Sequence, residues 1–319
     1  MIVGQDRAVA QFRAAWDSGA MHHAWLLAGP HGVGKGTFAR AAAARVLADA
    51  AGPRSALPRL EVPDDNSTAR LIAAGSHPDL RLLERLENAK TGNLARNIGV
   101  DQVRGLGELF DFTPALSDWR VVIIDAADDL ERSAANALLK MLEEPPANCL
   151  FLLVSHAPGR LLPTIRSRCR RLDFQTLDDD AMAAILDHSD IAIAPAERAR
   201  VIAAAAGSAG RALAVAELDL APLQDKVLAI LREGDPTNAR RSELAQELGK
   251  KGAAERYAAF LELVPSLIAQ EARTASGGRR ARALDAYAKS AELAGLAPRL
   301  SLDPAATIFQ IGGFLAAVP

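Results

Sequence analysis

The residues with the clearest capacity for chemistry form one run, Gly29-Pro30-His31-Gly32-Val33-Gly34-Lys35-Gly36-Thr37, between an apolar stretch (Ala24–Ala28) and an alanine-rich, helix-favouring segment (Phe38–Ala51). Gly29, Gly32 and Gly34 followed by Lys35 suit a phosphate-binding loop. In such a loop, backbone N–H groups and the positive end of the next helix surround phosphate oxygens, and the lysine reaches the outer phosphates. The pattern normally ends in Lys followed by Ser or Thr, whose hydroxyl binds Mg²⁺; here that position is Gly36. Thr37 follows one residue late. One residue along a helix is a rotation of about 100°, so its hydroxyl does not take over that task without rearrangement.

Two other positions could face the loop. Asp125 closes Trp119-Arg120-Val121-Val122-Ile123-Ile124-Asp125, a β-branched run of the kind that forms a central parallel strand buried on both faces. Ligands in open α/β sheets bind at the carboxyl edge of the strands, which puts Asp125 near the loop. Leu150–Ser155 reads as a second buried strand, ending in a hydroxyl. Asp128 and Asp129, just past Asp125, read as turn or helix-start residues. The basic run Arg166-Ser167-Arg168-Cys169-Arg170-Arg171 reads, taken alone, as a solvated charged surface.

The elements that would position these residues follow from periodicity. Val9, Phe12 and Trp16 mark an amphipathic helix over residues 5 to 19, and the strand Ala24–Ala28 precedes the loop. Gly52 to Pro78, rich in Pro, Asp and Asn, reads as loop with a short helix inside it. Asp79–Leu83 is a short strand. Asp101 is the expected N-cap of a helix over Gln102–Phe110, and Ser133 the expected cap of a helix running to Glu144, where Pro145-Pro146 stops it. From Thr176 onward the pattern is helical only: Ala181–Leu186, Ala196–Ala206 and Gly210–Leu218, a linker at Ala221-Pro222, then Lys226–Arg232, Ser242–Lys250, Ala254–Ala272, Arg280–Leu293 and Ala305–Ala317. The expected division is an α/β domain over 1–175, a small helical domain over 176–221 and a larger helical domain over 222–319. No internal repeat is visible.

Composition narrows the classes of function. The 319 residues are 50% hydrophobic and only 4% aromatic, with Ala and Leu dominant, which favours helix over sheet. A formal net charge of −2 provides no global positive field, so any DNA contact has to be local or shared with partners. Cys149 and Cys169 lie outside any C-x-x-C spacing, and the six histidines show no ligand spacing, so neither a disulfide framework nor a zinc or other metal site is expected. With no basic-then-apolar leader and no apolar stretch of roughly 20 residues, a cytoplasmic protein without membrane partners is expected. Trp16, Trp25 and Trp119 read as core residues, not as stacking platforms for single strands.

Phosphate loop, Asp-terminated strand and appended helices together resemble an AAA+ nucleotide-binding module. Val3-Gly4-Gln5, His23-Ala24-Trp25-Leu26-Leu27, Val100-Asp101-Gln102-Val103-Arg104, the run from Asn136 to Pro146 (NALLKMLEEPP) and Ile165-Arg166-Ser167-Arg168-Cys169 are similar to bacterial DNA polymerase III clamp-loader subunits, most of all to the delta prime type. These motifs span about residues 2 to 218; the remaining third matches only in helical character. The resemblance implies that Asp125 is the metal-associated acid, that Ser155 is at the first sensor position and that Arg211, in Gly207-Ser208-Ala209-Gly210-Arg211, is the second sensor, opening a lid helix.

Active relatives follow the acid with Glu, the carboxylate that activates water, whereas this sequence has Ala126. Loss of both that carboxylate and the Mg²⁺ hydroxyl argues against hydrolysis. The resemblance also makes Arg168 an arginine finger, donated to ATP held by the adjacent subunit. It implies partners as well: motor subunits and a delta-type subunit in a five-membered ring, a sliding clamp, and primer-template DNA reached through the assembly, with the C-terminal helices as the ring's collar. Arg104 is a candidate DNA phosphate contact. Relatives often carry a four-cysteine zinc module in the region of Gly52–Pro78, and here that region has no cysteine. No cofactor is required; passive ATP or ADP, without dependable Mg²⁺, stays open. The alternatives are an active ATPase motor subunit and a stand-alone nucleotide-binding regulator.

Overall fold

Five strands, β1 (Ala24–Ala28), β2 (Leu80–Leu83), β3 (Arg120–Ile124), β4 (Cys149–Ser155) and β5 (Arg170–Asp173), pair in parallel in the order β2-β3-β4-β1-β5. The computed structural model describes residues 2–319 apart from 64, 88–93, 192, 219 and 251. Every residue of β1, β3 and β4 is buried, because helices cover both faces of the sheet. On one face Trp25, Leu27, Val121, Ile123, Leu152 and Val154 pack against Phe12 and Trp16 of α1 (Asp6–Asp17) and Phe38, Ala42 and Val46 of α2 (Lys35–Ala51). On the other, Leu26, Val122, Ile124, Phe151 and Leu153 meet Val103 of α4 (Val100–Arg104), Leu106 of α5 (Leu106–Asp111) and Leu138 and Leu142 of α6 (Arg132–Glu143). Adjacent residues serve opposite faces, which is why these strands read as unbroken apolar runs. Trp16 and Trp25 are buried as expected, and Trp119 stacks edge-on against Trp16.

Several boundaries differ from the sequence expectation. Residues 170–173, within the basic run, form the edge strand β5, where only Leu172 turns inward. The helix expected over Gln102–Phe110 is two helices meeting at Gly105. The first is capped by Gly99, whose N–H donates to the Gln102 side chain (3.1 Å), not by Asp101. Glu131, not Ser133, stands at the N-cap position of α6, without a side-chain capping bond; the Ser133 hydroxyl donates to the Glu131 carboxylate at 2.6 Å. Ala221-Pro222 opens a helix instead of linking two, since proline fits the first helical turn.

The remaining helices are α3 (Ser67–Ala73), α7 (Pro163–Arg166), α8 (Asp179–Asp187), α9 (Pro195–Ala205), α10 (Ala209–Glu217), α11 (Ala221–Glu233), α12 (Ala239–Leu248), α13 (Ala254–Thr274), α14 (Gly277–Leu300) and α15 (Pro304–Ala316). Two compact units result: Met1–Ile185 with Ala206–Gly210, and Leu186–Ala205 with Arg211–Pro319. The first contains the sheet. Among the described residues the second contains helices and no strand, with Val227, Ile230, Leu244, Phe260, Val264, Leu267, Ile308 and Ile311 in its buried interior.

Candidate functional site

The loop between β1 and α2 is shaped by its glycines. Gly32 (φ 74°) has no room for a side chain: a Cβ there would lie 2.2 Å from the Ser208 hydroxyl, while its carbonyl accepts from the Gly210 N–H at 2.9 Å. A Cβ on Gly29 would lie 2.4 Å from the Phe174 carbonyl oxygen, and the Gly29 N–H donates to the Ser155 carbonyl at 3.3 Å. Gly34 (φ 96°) caps α2 in the left-handed conformation, with open space where a side chain would be. Backbone can therefore approach a ligand closely along this turn. Lys35, the first residue of α2, is only 2% exposed, and its ammonium donates to the carbonyls of Gly29 (2.8 Å) and Pro30. Burial lowers its pKa to about 8, against the pull of Asp125 and Asp128. Thr37 faces solvent.

Asp125, directly after β3, lies across from the loop as expected, but its surroundings do not suit Mg²⁺. A Cβ on Gly36 would lie 2.7 Å from Asp125 Oδ2 and 3.3 Å from the guanidinium of Arg40. Arg40 itself is 3.9 Å from Asp125 Oδ2. A carboxylate packed onto a bare backbone, with a half-exposed guanidinium close to it and Ala126 buried beside it, has neither the hydroxyl nor the second acid that a metal-dependent hydrolytic site uses. These residues do not fit a bound Mg²⁺. Arg40 was invisible to sequence reasoning, because no motif marks it.

At the end of β4, the Ser155 hydroxyl is fully buried and donates to Asp128 Oδ1 at 2.9 Å. Asp128 also accepts the N–H groups of His156 (2.5 Å) and Ala157 (3.3 Å). The Asp128 carboxylate thus ties the end of β4 to the 3₁₀ turn Ala127–Asp129, a positioning task consistent with its reading as a turn residue. The His156 ring packs edge-on against His31 of the loop, 4.6 Å between centroids. Burial, followed by Lys35 and His31, pushes its pKa down to about 4 despite Asp128.

The structure therefore brings Gly29, Gly32, Gly34, Lys35, Asp125 and Ser155 together at the carboxyl edge of the sheet. Arg168 is elsewhere, between α7 and β5, and is two-thirds buried at its side chain. It donates to Glu143 at the end of α6 (2.8 Å) and to the Thr164 carbonyl (3.0 Å). Glu143 lies at a helix C-terminus, where the macrodipole disfavours a carboxylate, and the guanidinium offsets that cost. Arg211 belongs to the second unit; burial lowers its pKa while Glu262 supports its charge. Arg104 is exposed on α4, 3.7 Å from Asp101. Among the described residues, no group of three or more His, Cys, Asp or Glu side chains is gathered to hold a metal ion.

A parallel sheet ordered β2-β3-β4-β1-β5, with a phosphate loop after β1, an acid after β3 and a buried hydroxyl ending β4, defines a P-loop module of the AAA+ class with an added helical unit. The family model described as DNA polymerase III, delta subunit, matches residues 4–178, more than half of the 319 residues. The chain belongs to this family of clamp-loader subunits.

DNA polymerase III subunit delta' of Pseudomonas aeruginosa is 42% identical over 147 residues, covering 46% of this chain and 41% of that protein. DNA polymerase III subunit gamma/tau of Mycobacterium bovis is 33% identical over 228 residues, covering 70% of this chain and 37% of that protein. The matches thus span less than half the length of these curated relatives. A gamma subunit-related protein of DNA polymerase III from Thermotoga maritima shares the fold, with a TM-score of 0.52 at 16% identity over 97% of this chain and 99% of that one. No described helix is long and apolar enough to cross a membrane.

Proposed function

We propose that this chain is a hydrolysis-deficient subunit of the replicative clamp loader, of the delta prime type, acting in the cytoplasm. Arg168 completes the ATP site of a neighbouring motor subunit in a five-membered ring, which also includes a delta-type subunit and opens the sliding clamp onto primer-template DNA. Residues 1–175 act as the nucleotide-type module, 176–221 as its lid and 222–319 as the collar. No cofactor is required. The loop holds at most a passive ATP or ADP, contacted by Lys35, with neither Mg²⁺ nor zinc.

One contrast carries this reading. Gly36, Arg40 and Ala126 leave the chain's own site without metal-binding and water-activating groups, whereas Arg168 keeps a fixed, partly exposed guanidinium. A planar donor fork suits charge spread over phosphate oxygens in a transition state, and an arginine supplied this way contributes roughly 10³–10⁵ in rate. The test is native mass spectrometry of the chain mixed with a gamma/tau-type subunit and a delta-type subunit, alongside ATPase assays of the chain alone. A defined hetero-oligomer and no Lys35-dependent hydrolysis by the isolated chain are expected. Hydrolysis by the isolated chain that disappears in Lys35→Ala would instead identify a motor subunit, and failure to assemble would identify a stand-alone regulator.

A further inference from the structure

Leu83 of β2 pairs with Ile124 of β3, so the next residues, Glu84 and Asp125, leave the sheet side by side at its carboxyl edge. Two neighbouring carboxylates at this edge repel each other unless a cation stands between them. Arg40, one turn beyond Gly36 on α2, supplies it: its guanidinium nitrogens lie 3.9 Å from Asp125 Oδ2 and 4.0 Å from Glu84 Oε2. At these distances the groups are not hydrogen-bonded, and the effect is balance of charge. Of the other acids of this corner, Asp129 has its own cation, Arg85, at 3.3 Å, and Asp128 accepts from Ser155, His156 and Ala157. The missing side chain at Gly36 is part of the same arrangement. A Cβ there would press on Asp125 Oδ2 (2.7 Å) and on the Arg40 guanidinium (3.3 Å), so the carboxylate and its cation close into the volume that a metal-binding hydroxyl would need.

We propose that the Arg40 guanidinium is the resident cation of this site, standing in for a divalent ion and keeping one away from Asp125 and Glu84. Arginine stays protonated at any pH the protein survives, so this cation is neither released nor titrated. The proposal rests on the geometry around α2, β2 and β3 and is independent of the role of Arg168. It predicts that deleting the guanidinium uncovers a pair of oxygen donors of the kind that Mg²⁺ and Mn²⁺ prefer.

The experiment uses Mn²⁺ alone as the probe on the full chain, with free Mn²⁺ followed by electron paramagnetic resonance. Wild type should show no saturable binding linked to Asp125. Arg40→Ala should bind about one Mn²⁺ at least tenfold more tightly than wild type, with displacement by Mg²⁺. Asp125→Asn in that background should abolish the gain. Arg40→Gln, which keeps most of the aliphatic stem, provides the same comparison if the alanine variant folds poorly, and far-UV circular dichroism checks both. Saturable Mn²⁺ binding by wild type that Asp125→Asn removes overturns the proposal, as does an Arg40 variant that folds and binds no more tightly than wild type.

Discussion

Replacing Arg45 by Met breaks a buried polar knot beneath the loop that follows α2. The side chains of Arg45 and Asp49 are both 0% exposed and pair at 2.8 Å. Arg45 also donates to the carbonyls of Ser55, Leu57 (3.0 Å) and Glu61 (3.1 Å), while Asp49 accepts from Trp16 Nε1 (2.9 Å) and Ser55 N–H (2.8 Å). Met fills much of the same space but leaves a buried carboxylate without its cation, the Ser55 and Glu61 carbonyls without this donor, and the Leu57 carbonyl with only the longer bond from Arg13 (3.4 Å). Removing one partner of a buried pair costs about 3–5 kcal/mol. For a domain of this size each kcal/mol shifts the unfolding midpoint by about 2–4 °C, which gives a fall of roughly 6–20 °C. The three tryptophans, Trp16, Trp25 and Trp119, all lie in the sheet-containing unit, so their fluorescence during thermal unfolding of the full chain isolates that unit. Adding Asp49→Asn removes the stranded charge while keeping an acceptor for Trp16, and should recover about 1–2 kcal/mol. A midpoint shift below about 3 °C for Arg45→Met would refute the reasoning.

Two further outcomes follow from the site. His156 is held neutral, with a native pKa of about 4 against an ordinary 6.5. As pH falls the unfolded chain takes up the proton first, so this contribution is complete above about pH 6.5 and is lost progressively toward pH 4, about 3 kcal/mol in all; urea unfolding of His156→Gln should show a correspondingly flatter pH dependence over that window. Glu143 pairs with Arg168 at 2.8 Å, and on the proposed role of Arg168 it is a positioning residue that fixes the guanidinium. In an assembled loader, Glu143→Ala should lower the kcat of the neighbouring site about tenfold with KM nearly unchanged, since ordering a free arginine costs up to about 2 kcal/mol; Glu143→Gln, which keeps an acceptor, should recover part of the loss.

How much of this was legible in the sequence depended on whether a residue's role is local. The phosphate loop, β1, β3 and β4 announce themselves, because glycine spacing and doubly buried β-branched runs have few other uses. β5 did not: Arg170-Arg171-Leu172-Asp173 has a single inward side chain, and its strand character comes from pairing with β1 at the sheet edge. The single helix that spacing predicts over 102–110 is two, because Gly105 breaks a pattern whose apolar spacing continues across it. Asp128 is a turn residue, as its place just past β3 predicts, yet its three donors at the end of β4 lie 27 to 29 positions away and leave no trace in spacing. Arg40 is the extreme case. Its partners Glu84 and Asp125 come together only once β2 and β3 are in register.

On the proposed function, this chain contributes to chemistry through Arg168 and not through its own loop. DNA- and clamp-stimulated ATP hydrolysis by a reconstituted loader, in which only this chain is varied, tests it most directly. Arg168→Ala should lower the stimulated rate at least about tenfold while assembly and the unfolding midpoint stay as in wild type, and Lys35→Ala should leave the rate within about twofold. An unchanged rate for a correctly assembled Arg168→Ala loader, or a rate that collapses with Lys35→Ala instead, would contradict the account.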